Sequence, residues 1–354
     1  MAEHKGDVAG LPAVWNTTRR HMRLHSLLSH LASVLVYALF LALASALFAV
    51  PADAQGTETA KYPARPITFI VPTPAGSEAD IPFRMITKEA EKFLGQPIVI
   101  VNKPGASMTI GIAAIATAKP DGYTIGHAGH PGMFFAPFMD KVPYHPVKDL
   151  KQIMQFGNIN IAVFTKNDST FKTFKDVVDF ARKDPKKLTY GTSGTGTSAH
   201  VAMETIAKRE GVQFTIIPFK GSPETQAALL GGHVLIATGG FSHALVEAGQ
   251  TRLLLLLAET RSPAYPDVPI LKDLGYDIPA PTMLNVVAPR GLPEEIARKL
   301  EDAFTKTMSE PAFIKGMKDL RLTVLYRNST QLEEYVALNY EVMGRLLKQM
   351  GFAK

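Results

Sequence analysis

Short apolar runs alternate with helical patterns along most of the chain, and this alternation constrains the fold more than any other feature of the sequence. Residues 67–71 form an apolar run of strand length, and a helical pattern through Ile86, Ala90 and Phe93 follows it and ends at Gly95. The same order of strand and helix recurs further along the chain. Strands that alternate with helices form mainly parallel sheets whose two faces are covered by helices. The sequence therefore predicts an α/β fold.

Two series of such units follow one another, which predicts two lobes. The first series has apolar runs at 67–71, 98–101 and 123–126 and leads into a long extended segment at 153–164. The second series has apolar runs at 188–190, 214–217, 234–237 and 253–257. A short run at 286–288 and two closing helices, at 293–308 and 332–350, complete the pattern. The length of 354 residues agrees with two domains of about 150 residues each.

The first 54 residues have the layout of a secretory signal peptide. A basic stretch that includes Arg19 and Arg20 precedes the mostly apolar residues 31–50. Ala52 and Ala54 then provide the small side chains that a signal peptidase accepts. We therefore expect this leader to be cleaved on export. The alternative is a retained anchor, because an apolar stretch of this length can also span a bilayer.

Composition excludes several classes of function. Cysteine is absent, which excludes disulfides, thiolate metal sites and a cysteine nucleophile. The net formal charge is +6 at pH 7 without a basic cluster, so nucleic acid is not expected as a partner, whereas attraction of anions is compatible with this charge. No stretch after the leader is apolar for long enough to predict a further membrane span.

Three loops that lead from a strand into a helix are rich in small and hydroxyl-bearing residues. They are 72–80, 191–200 and 220–223, and 102–107 is a weaker fourth candidate. Ligands of open α/β sheets bind at such loops, where small residues let the backbone approach and helix starts attract anions. In the third loop we expect Ser222 to be the helix N-cap, with Pro223 at the first helical position. The loops favour a carboxylate site without catalysis, and the alternative is that they contain ordinary turn and capping residues.

Two competing motifs in the second loop are incomplete. Residues 194–199 fit a dinucleotide fingerprint, but the next strand ends at Phe219 instead of the acidic residue that would hold a ribose. Ser193 or Ser198 could act with His200 as nucleophile and base, although the sequence marks no acid that would orient the histidine. A secreted serine-dependent hydrolase of α/β fold is therefore the alternative function.

His127 and His130 are close together in the sequence, but they lie among glycines and before Pro131 rather than on a clear helix face. A metal site would need a third ligand, and the sequence does not place one beside them. Neither a metal nor another cofactor is predicted.

The loops belong to a longer series of motifs that covers residues 61–354. The motifs are Tyr62-Pro63, Arg65-Pro66-Ile67, Ile70-Val71-Pro72, Gly76, Asp80, Arg84, Asn102-Lys103-Pro104-Gly105-Ala106, Gly111, Lys119-Pro120-Asp121-Gly122-Tyr123-Thr124, Pro143-Tyr144, Lys148-Asp149-Leu150, Tyr190-Gly191-Thr192-Ser193-Gly194, Gly196-Thr197, His200, Lys220-Gly221-Ser222, Leu230-Gly231-Gly232 and Ala288-Pro289. In this order they resemble the extracytoplasmic receptors of tripartite tricarboxylate transporters, also called Bug proteins.

The resemblance implies a periplasmic-binding-protein fold of type II, in which two lobes close over a small carboxylated solute. Lobe 1 would comprise 61–157 and 285–354, and lobe 2 would comprise 158–284. Such receptors are periplasmic, do not catalyse a reaction and pass their ligand to the membrane permease subunits of a secondary transporter. A monomer is expected. A ligand sensor for a membrane partner is a further alternative.

The resemblance also implies ligand-binding residues on all three loops. They are Ala75, Gly76, Ser77 and Asp80 in the first loop, Thr192, Ser193, Thr197, Ser198 and His200 in the second, and Lys220 and Ser222 in the third. Glu78 departs from the family pattern, which usually has a small residue at this position, and an acid is unexpected beside an anion site.

Overall fold

The computed structural model describes residues 61–77, 79–279 and 282–352. The signal peptide expected at 1–54 and the side chain of Glu78 lie outside the described residues. Within them, the chain forms two sheets with helices, the α/β two-domain arrangement that the sequence pattern predicts.

In the described ranges, eleven strands form the two sheets. In chain order they are β1 (Ile67–Val71), β2 (Ile98–Asn102), β3 (Thr124–Gly126), β4 (Leu150–Asn158), β5 (Ala162–Lys166), β6 (Thr189–Thr192), β7 (Thr215–Pro218), β8 (Ile236–Gly239), β9 (Thr251–Leu256), β10 (Met283–Pro289) and β11 (Thr323–Arg327). The first sheet has the order β11-β4-β10-β3-β1-β2, and the second has the order β7-β6-β8-β5-β9.

The helices alternate with these strands along most of the chain. They are α1 (Asp80–Leu94), α2 (Thr109–Ala116), α3 (Ala136–Met139), α4 (Phe174–Lys183), α5 (Ser198–Glu210), α6 (Ser222–Leu230), α7 (His243–Glu247), α8 (Glu294–Thr307), α9 (Pro311–Asp319) and α10 (Ser329–Gln349). A π-helical turn, Pro131–Phe135, precedes α3. None of the helices within the described residues combines the length and the apolar character that crossing a bilayer requires.

Side chains that alternate along β1 reach both faces of the first sheet. Ile67, Phe69 and Val71 belong to an apolar cluster with α1 and α8, whereas Ile70 belongs to a cluster with α2 and α10 on the other face. The second sheet is covered in the same way, by α4 and α5 on one face and by α6 on the other. Because successive apolar side chains of a strand point to opposite faces, both faces of each sheet are covered by helices.

A short link, residues 159–161, carries the chain from β4 in the first sheet into β5 in the second. Because β10 is antiparallel to both β3 and β4, the strands β1 to β4 all point toward this link. In the second sheet, β5 leaves the link antiparallel to β8, and β6 and β7 run parallel to β8. The carboxyl ends of β1–β3 in the first sheet and of β6–β8 in the second therefore lie at the ends of the two sheets nearest the link. The lobe boundaries at 157/158 and 284/285 stay a prediction.

Three details differ from the sequence-based expectation. The extended segment at 153–164 is two strands in different sheets, because β4 ends at Asn158 and β5 begins at Ala162. The sheets are mixed rather than mainly parallel, since β10 returns to the first sheet against the direction of β3 and β4. Helix α9 and strand β11 lie between the two expected closing helices. The sequence analysis did not predict them, because short elements of this kind leave a weak periodic signal.

Gly126→Ala is expected to lower the free energy of unfolding by about 1–3 kcal/mol, the usual cost of overpacking. A Cβ atom at Gly126 would lie 2.3 Å from the backbone oxygen of Ile70 and 2.6 Å from Cδ1 of Ile115. Denaturant unfolding measures the loss. Gly221→Ala is the control, because a Cβ atom there meets nothing nearer than 3.7 Å. Equal losses in the two variants would contradict the close packing of β3 against β1.

Candidate functional site

The three candidate loops open onto the gap between the two sheets at the link, where the carboxyl ends of their strands face each other. We call this gap the cleft. The first loop follows β1, the second follows β6 and the third follows β7. Since the carboxyl ends of these strands lie at the ends of the two sheets nearest the link, the first loop belongs to one wall of the cleft and the other two belong to the opposite wall.

The first loop is organised around the side chain of Asp80, which is fully buried at the start of α1. Oδ2 of Asp80 accepts hydrogen bonds from the backbone N–H of Gly76 at 2.8 Å and from Nε of Arg84 at 2.6 Å. Oδ1 accepts a hydrogen bond from Nδ2 of Asn102 at 2.8 Å, and Asn102 also donates to the carbonyl oxygen of Thr73. The carboxylate thus ties the two ends of the loop together and joins them to β2.

The same hydrogen bonds keep Asp80 ionised. Burial raises the pKa of the carboxyl group, but the hydrogen bonds from Arg84, Asn102 and Gly76, together with the charge of Arg84, outweigh burial and lower the net pKa below 3.8. Asp80 is therefore a buried carboxylate whose contacts in the structure are with protein donors.

The tip of the first loop is accessible. Ala75 and Gly76 are exposed, and Ser77 is half-buried with its hydroxyl donating to Oγ1 of Thr73 at 3.0 Å. Gly76 has a φ of +75°, in the left-handed region that favours glycine. The N–H of Ala75 has no acceptor among the described residues. The tip therefore carries a backbone donor that no described residue accepts.

The second loop ends in an N-cap at Thr197. Its Oγ1 accepts a hydrogen bond from the N–H of His200 at 3.2 Å and lies 3.4 Å from Oγ1 of Thr192. The N–H groups of Ser198 and Ala199, the first residues of α5, have no acceptor among the described residues. They lie at the positive end of the helix dipole. The cap therefore leaves two backbone donors without an acceptor in the part of the chain that the structure describes.

Thr238 is a buried hydroxyl that the sequence analysis missed. It pairs with Thr192 across β8 and β6, and its Oγ1 has no hydrogen-bond partner among the described residues. Next to it, a Cβ atom at Gly239 would lie 3.2 Å from Oγ of Ser193. The strand was expected to end at 237, one residue too early for this threonine. Had the strand been extended to Thr238, parallel pairing of the ends of β6 and β8 would have predicted this threonine beside the second loop.

His200 holds the second loop through a backbone contact. The N–H of Gly196 donates to Nδ1 of His200 at 2.9 Å, so the neutral ring carries its proton on Nε2. Burial lowers the pKa of His200, against an opposing effect of the Glu204 charge. Among the described residues, neither Ser193 nor Ser198 forms a hydrogen bond with this ring. The nitrogen that an orienting acid would contact in a catalytic triad faces an amide instead.

The third loop differs from the expectation at its cap. Gly221, rather than Ser222, is the N-cap of α6, and Ser222 makes no capping hydrogen bond. The reason is that the carbonyl oxygen of Gly221 already accepts the N–H of Thr225 at 3.1 Å, so the helix begins one residue earlier than expected. Oε2 of Glu224, in the first turn, accepts the N–H of Lys220 at 3.1 Å. The side chain of Lys220 is exposed.

The weaker fourth loop adopts an unusual backbone conformation. Ala106, Ser107 and Met108 have φ values of 44°, 54° and 72°, a left-handed region that residues with a Cβ atom rarely occupy. Met108 packs on the segment that follows β3, since a Cβ atom at Gly129 would lie 2.5 Å from its Sδ.

His127 and His130 lie in this segment after β3. Nδ1 of His127 bonds to Oδ1 of Asn285 at 2.6 Å. Burial lowers the pKa of His127 to about 4, although the bond with Asn285 acts to raise it. Within the described ranges, three or more histidine or acidic side chains nowhere gather at metal-binding distance.

The second loop touches the opposite wall of the cleft at Gly196. A Cβ atom on this residue would lie 2.2 Å from the ring of Phe135, which follows β3 in the first lobe. Val201, on the first turns of α5, is buried in the apolar cluster that covers the α2 and α10 face of the first sheet. The start of α5 is therefore packed between the lobes.

The end of α10 makes a second contact between the lobes. Nζ of Lys208 on α5 donates to the carbonyl oxygen of Gln349 at 2.6 Å, and the ring of Phe352 packs on His200 with centroids 5.6 Å apart. A cavity of about 730 Å³ adjoins this contact and is lined partly by Phe214, Ile216 and Phe352. It lies beside the edge strand β7 and contains none of the eleven sequence-predicted site residues.

Comparison with known proteins finds relatives over most of the chain. The model of the tripartite tricarboxylate transporter family receptor matches residues 82–352. A UPF0065 protein in the gbd 5′ region of Cupriavidus necator is 37% identical over 309 residues, which cover 87% of this chain and 93% of the relative.

Solved structures share the fold. A TctC solute-binding protein from Polaromonas is 28% identical with a TM-score of 0.71, and the match covers 81% of this chain and 99% of that chain. A protein of R. palustris solved with adipate is 24% identical with a TM-score of 0.72, and the match covers 82% of this chain and 99% of that chain. The second likeness, at this identity, supports the fold alone. The architecture is that of periplasmic solute-binding proteins.

Asp80→Asn is expected to lower the free energy of unfolding at neutral pH by about 1–3 kcal/mol, because buried donors lose their acceptor. The lowered pKa means that the carboxylate stabilises the fold above pH 3.8 and that this contribution disappears as the pH falls through the folded-state value. Unfolding midpoints measured from neutral to strongly acidic pH should therefore converge for the two proteins. Asp319→Asn, at an exposed pair with Lys315, is the control. A difference that stays constant with pH would contradict this role of the charge.

Gly196→Ala is expected to weaken the contact between the lobes at Phe135 and to lower the thermal midpoint. Gly95→Ala is the matched control, because both glycines have nearly the same positive φ, +75° and +72°, but a Cβ atom at Gly95 meets nothing within 4 Å. The extra loss in Gly196→Ala should be relieved by Phe135→Ala in the double variant. Equal losses in the two glycine variants, or no relief, would count against the contact.

Proposed function

The chain belongs to the tripartite tricarboxylate transporter receptor family, and we propose that it captures a small carboxylate-bearing solute between its two lobes and releases it unchanged. The observation that carries the proposal is the set of backbone donors on facing loops that have no acceptor among the described residues. These are the N–H of Ala75 on one wall and those of Ser198 and Ala199 on the other. A carboxylate head needs such donors and no reacting group.

The first loop contributes a fixed tip. We propose that Ala75, Gly76 and Ser77 contact the carboxylate, and that Asp80 acts as a positioning residue behind them. Support comes from the bonds of Asp80 to Gly76 and Arg84, which hold the tip while leaving the N–H of Ala75 free.

The second loop contributes the helix start. Ser198 and the N–H that follows it are proposed to bind the same carboxylate, with the hydroxyls of Thr192 and Ser193 beside it. Thr197 supports them through its cap on His200, and His200 supports Gly196. The third loop is proposed to act less directly, with Ser222 at the cleft edge and the exposed charge of Lys220 attracting anions.

Closure of the lobes strengthens the interaction with an anion. Donors on one wall alone would compete with water, whereas donors on two walls surround the carboxylate in a region of lower effective dielectric. The contact of Gly196 with Phe135 supports a closed arrangement in which the second loop reaches the first lobe.

Binding without catalysis fits the chemistry of the second loop better than hydrolysis. The family and the fold are those of solute-binding receptors. Nδ1 of His200 is occupied by a backbone N–H, and the ring is not bonded to either candidate serine among the described residues. The serine-dependent hydrolase therefore lacks a paired nucleophile and base.

The proposed setting is that of the family. We propose that the protein acts in the periplasm as a monomer and delivers its ligand to the permease subunits of a membrane transporter. The family description and the periplasmic relatives support this part of the proposal.

A panel of mono-, di- and tricarboxylates and amino acids tests the proposal by thermal shift. A bound ligand at 100 times its Kd should stabilise the protein by about 2.7 kcal/mol. The ligand recovered afterwards should have its original mass. If no acid moves the unfolding midpoint, carboxylate capture is wrong.

Thr197→Val should lower the affinity for the best ligand by at least about tenfold, because the donors at the start of α5 lose their support. Thr173→Val is the matched control, since Thr173 caps α4 away from the cleft. Both variants should lose about 1 kcal/mol of stability, but only the first should lose affinity in calorimetry. Equal losses of affinity would contradict a specific role of the second loop.

A further inference from the structure

Two buried polar side chains near the proposed carboxylate site lack hydrogen-bond partners. Nδ1 and Nε2 of His130 have none among the described residues, and neither has Nδ2 of Asn285. His130 is 6% exposed and Asn285 is 0% exposed. Buried polar groups without partners are uncommon and costly, which suggests that these atoms have a partner that is not part of the chain.

The two side chains lie at the cleft ends of neighbouring strands. His130 follows shortly after the end of β3, and Asn285 lies near the start of β10, which pairs with β3 in the antiparallel direction. Oδ1 of Asn285 accepts the N–H of Ala128 at 3.2 Å and bonds to His127. The amide oxygen is therefore occupied, and the amide nitrogen is the free atom.

Both side chains also lie where the lobes meet. The ring of His130 packs on Phe134, with centroids 5.6 Å apart. Phe134 belongs to the apolar cluster that contains Met283 from β10 and Val201 from α5. The register of β10 shifts after Leu284, but both neighbours of Asn285, Leu284 and Val286, belong to the cluster on the opposite face, so Asn285 faces the same side as Met283. Val201 is about one helical turn from Ser198. The start of α5 and this wall of the first lobe therefore contribute to the same apolar cluster.

The free atoms define the chemistry of a matching group. Burial lowers the pKa of His130 to about 3, so the imidazole is neutral and offers one donor and one acceptor. Nδ2 of Asn285 adds a donor. A hydroxyl or a carboxamide both donates and accepts, so it can pair with this set. A carboxylate only accepts, and the basic residue of the first loop, Arg84, is already paired with Asp80.

We propose that His130 and Asn285 form a second subsite, which binds an uncharged hydroxyl or carboxamide at the far end of the ligand. The preferred solute is then a hydroxy- or amide-bearing monocarboxylate. This inference rests on the proposed capture of a carboxylate at the facing loops. A plain alkanoate would leave the three atoms unpaired, and a dicarboxylate would bury a second charge without a partner.

Calorimetry with matched acids tests the subsite. The series compares, at each chain length from propionate to hexanoate, the alkanoate, the ω-hydroxy acid, the ω-carbamoyl acid and the α,ω-dicarboxylate. At the best chain length, the hydroxy or the carbamoyl acid should bind at least about tenfold more tightly than the alkanoate and the dicarboxylate.

His130→Phe removes both nitrogens and keeps a ring against Phe134. The affinity for the hydroxy or carbamoyl acid should fall to that for the alkanoate, while the alkanoate itself binds as before. The ligand-free protein should become more stable, because two unpaired polar atoms are gone. His130→Gln, which keeps a donor and an acceptor, should retain part of the preference. His233→Phe, at an exposed histidine, is the control and should change neither quantity.

The outcomes separate the subsite from the proposed function. Tightest binding of a dicarboxylate or an alkanoate, or a preference that survives His130→Phe, overturns the subsite and leaves carboxylate capture intact. Absence of binding by every acid overturns both.

Discussion

The short crossing between β4 and β5 is the constraint on which the rest of the structure depends. Because residues 159–161 join the sheets directly, and β5 leaves antiparallel to β8, the carboxyl ends of β1 and β6 face each other. The end of β6 leads into α5, whose first N–H groups, at Ser198 and Ala199, have no acceptor among the described residues. The end of β1 leads into a loop in which the N–H of Ala75 has no acceptor among them either. In the proposed closed form, donors from the two walls surround one anion and exclude water from it.

The polar groups around the cleft divide into two kinds. Asp80 is buried with every bond made, so its carboxylate fixes the first loop before a ligand arrives and the ordering cost of binding is reduced. Among the described residues, His130 and Asn285 are buried with polar atoms that have no partner, which destabilises the free protein. In the proposed site, the first kind positions the carboxylate head, and the second kind distinguishes one carboxylate from another by pairing with its far end. In this proposal, His130 thus lowers the stability of the free protein and raises the selectivity for the ligand.

Much of the fold follows from local sequence pattern. The alternation of Ile67, Phe69 and Val71 with Ile70 predicts a strand covered on two faces, and Gly95 ends α1 in the left-handed conformation that a glycine after a helix predicts. The three loops were located for the same reason, since each joins a strand to a helix. The pairing of His127 with Asn285 could not be predicted, because it joins residues far apart in the chain that meet only once β10 returns from the second lobe. The cap of α6 was misplaced because the carbonyl oxygen of Gly221 already accepts the first helical hydrogen bond, from Thr225.

A crystal structure of the protein with the carboxylic acid that gives the largest thermal shift tests the central claim most directly. The account predicts that the carboxylate oxygens lie within hydrogen-bond distance of N–H groups on both walls, at Ala75 and at Ser198 or Ala199. An acid that touches only one wall, or that occupies the cavity beside β7 and Phe352 instead, would contradict it.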